Sequence, residues 1–185
     1  MAKTALVPIA DGTEEMEAVI LIDVLRRADT EVTVASAGEL QVTASRGVKI
    51  VADALIRDCA GKSYDLIALP GGLPGAEHLR DCETLVELLK QQRQAGRLYG
   101  AICASPAVAL AHHGLLDDKK ATCYPGLQDK LPDASESEKR VVADGNCVTS
   151  QGPGTALDFA LVLVERLHGS DKAQAIAQQT LAETR

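Results

Sequence analysis

Short strand-like segments, each followed by a turn and then by a helical pattern, recur along this chain and constrain its fold more than any other feature. Residues 4–9 and 64–69 are apolar runs of the kind found in parallel strands that are buried on both faces. Residues 97–102 form a third run, which ends at a cysteine. Because a strand–helix–strand connection places its two strands in parallel, the alternation predicts an α/β domain with a mostly parallel sheet and helices on both faces.

The same patterns predict the remaining elements. No linker, internal repeat or low-complexity tract interrupts them, so we interpret residues 1–185 as one domain. Helices are predicted over residues 13–28, 84–95, 104–113, 151–167 and 170–182, with Ser170 as the cap of the last one. Strands are predicted over residues 31–36 and 121–124 and in two hairpins, 40–45 with 47–52 and 140–143 with 147–150.

Composition excludes several classes of function. The 185 residues carry a formal net charge of −7 and no basic stripe that could bind nucleic acid phosphates. Residues 1–11 hold one lysine and too short an apolar run for a signal peptide or a membrane span. The five cysteines have no close-pair spacing, which argues against a disulfide framework or a zinc site. We therefore expect a reduced, cytoplasmic protein that binds no membrane, no metal and no specific nucleic acid sequence.

The third apolar run ends at Cys103, and a helical pattern begins at once, so this cysteine is predicted to lie on a tight turn between a strand and a helix. The amino-terminal end of a helix favours a thiolate and can lower a cysteine pKa well below its free value of roughly 8.5. Ser105 and Pro106 suit a helix start, because Ser can cap free N–H groups and Pro has none. A buried structural cysteine is equally consistent with this stretch alone.

Other unusual segments are expected at the same edge of the sheet. Residues 11–13, 70–75 and 151–155 each follow a predicted strand. Open α/β sheets place their ligand sites at the carboxyl ends of the strands. This convergence favours a reactive Cys103 over a structural one.

The loop at residues 70–75 is Pro-Gly-Gly-Leu-Pro-Gly, whose glycines do not match the dinucleotide fingerprint. Gly61-Lys62-Ser63 is similar to the end of a phosphate-binding loop, but Ile56 occupies the position of its first glycine, so no cofactor is expected. The adjacent glycines of the loop at residues 70–75 can instead direct backbone N–H groups toward a developing negative charge. We expect Gly72 and Ala104 to form an oxyanion hole beside Cys103. The alternative is a plain tight turn, which Gly and Pro also explain.

Glu17 is a carboxyl residue that the helical pattern places on an apolar face. On the predicted helix it shares that face with Ile20, Leu21, Val24 and Ala28. Burial of a carboxyl without a partner is costly, so Glu17 either interacts with another group or lies at the hydrated edge of the face. No histidine is spaced to serve Cys103, which makes Glu17 the best candidate to tune the thiol. Asp11 and Glu14 are expected to form a capping box where this helix begins.

Several motifs that span nearly the whole chain occur together in one known family. They are Glu14-Glu15-Met16-Glu17, Ser45-Arg46-Gly47, residues 65–72, Ala101-Ile102-Cys103-Ala104 and residues 150–155. With these motifs the chain resembles the ThiJ/PfpI superfamily, specifically its Parkinson-disease protein deglycase branch, close to bacterial YajL-like proteins. The resemblance implies a flavodoxin-like three-layer sandwich and a homodimer. It also implies a Cys103 thiolate stabilised by protonated Glu17, the N–H groups of Gly72 and Ala104 nearby, and two arginines close to the site, Arg27 and Arg46, the latter a candidate to reach across the dimer.

Two positions depart from the pattern of the family. Well-studied members carry a histidine before a proline near the nucleophile, where this chain has Tyr124. Tyrosine is a poor base near neutral pH, because a phenol ordinarily has a pKa of roughly 10. The protease-like branch has a histidine directly after the nucleophile, where this chain has Ala104, so we discount peptidase activity. Tyr124, Arg27 and Arg46 are taken as candidate substrate contacts.

Three functions remain open at this point. The first is a cysteine-dependent enzyme that removes glyoxal-derived adducts from proteins or guanine nucleotides, or converts free glyoxals to hydroxy acids. The second is an oxidation sensor or redox-regulated chaperone for unfolded proteins, in which Glu17 hydrogen-bonds a sulfinic acid formed on Cys103. The third is a structural dimer with an incidental cysteine. Tyr124, in place of the family's histidine, shifts weight from the enzyme to the sensor.

Overall fold

A seven-stranded sheet forms the middle layer of the structure, a computed structural model that describes residues 2–182. The strands of the protein are β1 (Thr4–Ile9), β2 (Glu31–Ser36), β3 (Gln41–Thr43), β4 (Lys49–Val51), β5 (Ala54–Leu55), β6 (Leu66–Leu69), β7 (Leu98–Ile102), β8 (Val141–Asp144) and β9 (Cys147–Ser150). β3 and β4 form a separate antiparallel hairpin. The others follow the order β5-β2-β1-β6-β7-β9-β8, and all neighbours are parallel except β8 and β9. The predicted, mostly parallel sheet is confirmed.

Helices cover both faces of this sheet. They are α1 (Glu15–Arg27), α2 (Gly75–Arg80), α3 (Glu83–Gln94), α4 (Ala156–His168) and α5 (Ser170–Gln179). Successive residues of a strand point to opposite faces, so Ala5 and Val7 pack with α1 and α4, whereas Leu6 packs in the second core cluster with α3. The fold is therefore the flavodoxin-like three-layer sandwich that the resemblance implied. Across residues 2–182, every helix is too short or too polar to span a bilayer.

The loops that follow β1 and β6 interlock through close backbone contacts. The N–H of Glu14 donates to the carbonyl of Gly71 at 2.9 Å. A Cβ on Gly72, whose φ is +89°, would lie 2.4 Å from the nitrogen of Glu14, and one on Gly75 would lie 2.5 Å from the nitrogen of Thr13. Only glycine allows so close an approach. This interlock brings the start of α1 against the carboxyl end of β6, where the site lies.

Two helix starts differ from the prediction. Asp11 forms no capping box, because its Oδ1 accepts the N–H of Thr43 at 2.7 Å and thereby holds the β3–β4 hairpin. Glu14 occupies the N-cap position of α1 without a side-chain hydrogen bond to the helix. Ser170 is the first helical residue of α5 rather than its cap, which is Gly169. At Asp11, a tertiary hydrogen bond replaces the local one that the sequence motif suggested.

The strand predicted over residues 121–124 is wrong. The chain forms a single isolated bridge there, between Lys120 and Asp133. The backbone N–H of Thr122 donates to the side chain of Thr149 at 3.0 Å, and the Thr122 hydroxyl donates to the carbonyl of Ser137 at 2.6 Å. Because the N–H of Thr122 bonds to a side chain rather than to a strand backbone, residues 121–123 pack into the core without joining the sheet.

The contact between the two interlocked loops gives a stability prediction. Replacing Gly75 with Ala places a methyl group against the backbone of Thr13, so we expect the free energy of unfolding to fall by about 2–3 kcal/mol in a urea titration. Gly38→Ala is the matched control, because no atom lies within 4 Å of its added Cβ, and we expect a change within about 0.5 kcal/mol. Equal unfolding midpoints for the two variants would contradict the interlock.

Candidate active site

Cys103 lies at a strained turn directly after β7. Its φ of +64° is in the left-handed region, which a residue with a side chain seldom adopts. Hydrogen bonds fix this conformation from both sides: the N–H of Cys103 donates to the carbonyl of Ser150 at 3.0 Å, and its carbonyl accepts the N–H of Tyr124 at 2.8 Å. The residue is only 9% exposed. The geometry is that of a nucleophile elbow, in which the strain aims the side chain into the site.

Glu17 reaches this turn from the first turns of α1. It is completely buried, so the structure excludes a place at the hydrated edge of the helix. Its Oε2 accepts the N–H of Gly71 at 2.7 Å, and the same carboxyl faces the Cys103 thiol. Oε1 is buried and has no hydrogen-bond partner among the described protein groups. Burial raises the pKa of Glu17 to about 7, against the lowering effect of the Gly71 and Cys103 hydrogen bonds.

The thiol of Cys103 resists ionisation while Glu17 carries a charge. Burial and the negative Glu17 carboxylate raise the pKa of Cys103 to about 12, and the N–H groups of Gly72 and Ala104 oppose this rise. The sequence-based expectation that a helix end lowers this pKa is therefore wrong. Instead of an α-helix, a π-helical segment, Pro106–Leu110, follows the turn, so local backbone dipoles weigh less than burial and charge.

The two backbone donors come from separate loops. The N–H groups of Gly72, after β6, and Ala104, after β7, both reach the Cys103 sulfur. Gly71 packs so closely beside them that a Cβ on it would lie 2.6 Å from the Cβ of Cys103. The structure thus brings four of the predicted residues together, a thiol, a carboxyl and two N–H donors. Such a set can hold a negative charge on sulfur or on an oxygen bound next to it.

Tyr124 and Arg46 lie at more exposed positions. Tyr124 is half exposed and lies beside Gly152, while its N–H holds the carbonyl of Cys103. Arg46 is in the turn between β3 and β4, where its N–H donates to the Glu15 carboxylate at 2.9 Å and its guanidinium is exposed.

Arg27 does not lie at the site of its own protomer. It pairs with Asp23 near the end of α1. Ten residues separate it from Glu17, which at the rise of an α-helix corresponds to about 15 Å. The resemblance implied that Arg27 lies near the site. In this structure it can reach Cys103 only from a second protomer.

Three of the four histidines form hydrogen bonds with residues other than Cys103. His78, His113 and His168 hydrogen-bond to Asp11, Arg80 and Thr30, respectively, rather than to Cys103. Within residues 2–182, no group of three His, Cys, Asp or Glu side chains is arranged to hold a metal ion.

Three contributors escaped the sequence analysis. The carbonyl of Ser150 holds the turn at Cys103, and Glu15, which has the pattern of an ordinary first-turn charge, is buried against Ser45 and Arg46. Ser105 does not cap a helix, because its hydroxyl donates to the carbonyl of Pro70 at 2.6 Å. Each contact joins distant segments. Glu15, Ser45 and Ser150 lie in the motifs named above, but no local pattern indicates which groups they contact.

With this geometry in place, comparison with known proteins identifies the family. Residues 3–166 match the sequence profile of the DJ-1/PfpI family. The chain belongs to the DJ-1/PfpI family. Arabidopsis thaliana DJ-1 homolog B is 55% identical over 95% of the chain, and the chain spans less than half of the length of that protein and of homolog A, 40% and 45% respectively.

For two further relatives, the alignment covers almost all of this chain and almost all of the relative. The structure of oxidized Toxoplasma gondii DJ-1 superposes with a TM-score of 0.96 at 47% identity and covers 99% of this chain and 100% of that one. A Caenorhabditis elegans relative, named glutathione-independent glyoxalase DJR-1.2, is 38% identical over 94% of each chain. The chain therefore belongs to the DJ-1 branch of the family.

The raised pKa of Glu17 predicts a characteristic pH dependence of stability. The folded protein retains a proton that the unfolded chain loses near pH 4.5, so the stabilising contribution is complete below that pH and is lost as the pH rises to about 7. Glu17→Gln removes this dependence. We therefore expect the free energy of unfolding of the variant, relative to the wild type, to increase by about 3 kcal/mol between pH 4.5 and pH 8.

Urea titrations over this pH range provide the measurement. Glu138→Gln, which removes an exposed carboxylate, serves as the control and should follow the wild type at every pH. A constant difference between Glu17→Gln and the wild type would show that Glu17 titrates as an ordinary carboxyl.

Proposed function

We propose that this protein is a cysteine-dependent enzyme that acts on glyoxal-derived carbonyl compounds, either as a deglycase of glycated proteins or nucleotides or as a glyoxalase-type enzyme on free glyoxals. The observation that carries the proposal is the fully buried Glu17 carboxyl, which faces a thiol on a strained turn. A structural cysteine requires neither the strain nor the carboxyl. The glyoxalase name of the nematode relative supports the class of substrate.

The first step is transfer of the Cys103 proton to Glu17. An ionised Glu17 opposes the thiolate by its charge, whereas a proton on Oε1 removes that charge and turns the oxygen into a donor. The sulfur then has three donors, which are the Glu17 O–H and the N–H groups of Gly72 and Ala104. A carboxyl whose pKa is about 7 suits a group that takes up and returns a proton near neutral pH.

The thiolate then attacks the electrophilic carbon of the substrate. A carbon–sulfur bond forms, and the π electrons of the carbonyl group move onto its oxygen. The N–H groups of Gly72 and Ala104, which held the thiolate, stabilise this oxyanion. Glu17 returns its proton to the oxygen, and a neutral hemithioacetal results. All the protein groups that these steps require lie within the buried site.

Contacts at the mouth of the site would orient the substrate. Tyr124 has an exposed phenol, which can donate a hydrogen bond to a carbonyl oxygen but is a poor base near neutral pH. Proton transfer therefore depends on Glu17. Arg46 has an exposed guanidinium suited to a carbonyl or carboxylate group, and Arg27 would contribute from a second protomer.

The arrangement of exposed apolar residues supports a homodimer. Met16 and Val19 project from one side of α1 and are 55% and 49% exposed, and Val51 of the adjacent hairpin is 68% exposed. Apolar side chains grouped in this way commonly mark a protein–protein interface. A dimer formed through this surface would cover it and bring arginines of one protomer toward the site of the other.

A charge on this surface should separate the protomers. We expect the wild type to sediment at twice the 19.5 kDa of one chain and Val51→Glu to sediment as a monomer, because the new carboxylate would be buried without a partner. Gln94→Glu, which adds the same charge to the exposed side of α3, should remain dimeric. A dimer that tolerates Val51→Glu would place the interface elsewhere.

A second function, an oxidation sensor or redox-regulated chaperone, is favoured by one observation. Cys103 is slightly exposed and is surrounded by donors that can also bind the oxygens of a sulfinic acid. The similar Toxoplasma protein was solved in oxidized form. In this alternative Glu17 hydrogen-bonds the oxidised sulfur, and unfolded proteins rather than carbonyl compounds are the partners.

The test of the enzyme proposal is formation of lactate from methylglyoxal by the purified protein. We expect Cys103→Ser to reduce turnover by about 10³-fold or more, because the hydroxyl is a far weaker nucleophile at this site. Cys82→Ser, at a half-buried cysteine before α3, should leave turnover unchanged. Turnover that persists without the Cys103 thiol would contradict the proposal. A wild type without turnover, whose suppression of aggregation changes with peroxide, would favour the sensor.

A further inference from the structure

The two backbone donors at Cys103 lie on loops that the sheet does not hold together. Pairing between β6 and β7 ends at Leu69 and Ala101. Gly72 lies three residues after Leu69, and Ala104 lies three residues after Ala101. Another interaction must therefore set the spacing of their N–H groups about the sulfur.

Ser105 supplies a hydrogen bond between these loops. Its hydroxyl donates to the carbonyl of Pro70 at 2.6 Å, and the residue is completely buried. Ser105 directly follows Ala104, and Pro70 lies two residues before Gly72. The bond thus joins the two donor segments close to both N–H groups.

Packing between the loops makes their relative position sensitive to this bond. Gly71 lies against Cys103 without space for a methyl group, so the loops can separate but cannot approach further. Without the Ser105 hydroxyl, the buried carbonyl of Pro70 would lose its donor. An unpartnered buried carbonyl is costly, and its loop tends to shift until the oxygen meets water or another donor.

We propose that Ser105 is a positioning residue for the reactive thiol, whose hydroxyl holds the Pro70 loop and the Cys103 turn at the spacing that directs the N–H groups of Gly72 and Ala104 to the same sulfur. It acts through these two donors and does not touch the reacting atoms. The inference rests on the proposed function, because it concerns the thiolate that performs the attack. It goes further in assigning a role to a hydroxyl that the reaction itself does not use.

The test is the rate of Cys103 alkylation by iodoacetamide as a function of pH, with fragment-ion mapping of the modified cysteine. In Ser105→Ala the thiolate loses well-aligned donors, so we expect the apparent pKa of Cys103 to rise and the alkylation rate at pH 7 to fall about tenfold. Turnover of methylglyoxal should fall in kcat rather than rise in KM, because the substrate contacts remain. An unchanged pH profile would overturn the proposal.

Thr122→Ala is the matched control for loss of stability. It also removes a buried hydroxyl that donates to a backbone carbonyl at 2.6 Å, but that bond joins Thr122 to Ser137 and neither donor loop. Ser105→Ala and Thr122→Ala should both unfold at a lower denaturant concentration than the wild type. Only Ser105→Ala should shift the pH profile of Cys103 alkylation. A similar shift in Thr122→Ala would show that the profile responds to stability alone, and would overturn the positioning role.

A second variant keeps the inference testable if Ser105→Ala does not fold. Ser105→Cys retains a side chain of similar size with a weaker donor. We expect its profile to lie between those of the wild type and Ser105→Ala, and a wild-type profile would overturn the proposal. Failure of the proposed function and failure of the positioning role give different results. If the proposed function is wrong, turnover of methylglyoxal persists in Cys103→Ser. If only the positioning role is wrong, turnover still requires Cys103, but the pH profile of Cys103 alkylation is the same in Ser105→Ala as in the wild type.

Discussion

The hydrogen bond from the N–H of Gly71 to the buried carboxyl of Glu17 is the interaction on which the site depends. The carbonyl of Gly71 accepts the N–H of Glu14, so one residue of the loop after β6 binds the beginning of α1 at two points. A carboxyl buried without partners would destabilise the fold, and this donor offsets part of that cost. Since a side chain at Gly71 would collide with Cys103, the glycine is what permits α1, the loop and the Cys103 turn to meet.

Burial disfavours the ionised forms of both Glu17 and Cys103, because neither charge is well solvated there. The pKa values of Glu17 and Cys103 are both raised, and the negative charge of one group further opposes that of the other. In the proposed reaction, exchange of a proton between them relieves this conflict without a histidine. In that reaction one carboxyl carries the proton, so Tyr124 is not required as a base. Membership of the DJ-1/PfpI family and the glyoxalase name of one relative agree with carbonyl chemistry at such a pair.

Much of the fold was predictable because its signals are local. The apolar run of β1, the strand pattern of β2 and the hairpin of β8 and β9 are local patterns, and these elements were predicted within a residue or two. Cys103 and Glu17 were identifiable as anomalies, a cysteine where a strand ends and a carboxyl on an apolar face. The predicted capping roles of Asp11 and Ser105 failed because each side chain binds a distant backbone group instead.

The sequence by itself determined the alternation of strands and helices, the family, and the identity of the thiol and carboxyl, since periodicity and motifs depend on neighbours along the chain. Tertiary structure decided how these groups behave. The direction of the Cys103 pKa follows from burial and from the charge of Glu17, and the bond between Ser105 and Pro70 joins loops that leave two different strands. Solvation and electrostatic energies depend on distances in space, which are established only when α1, β6 and β7 pack together.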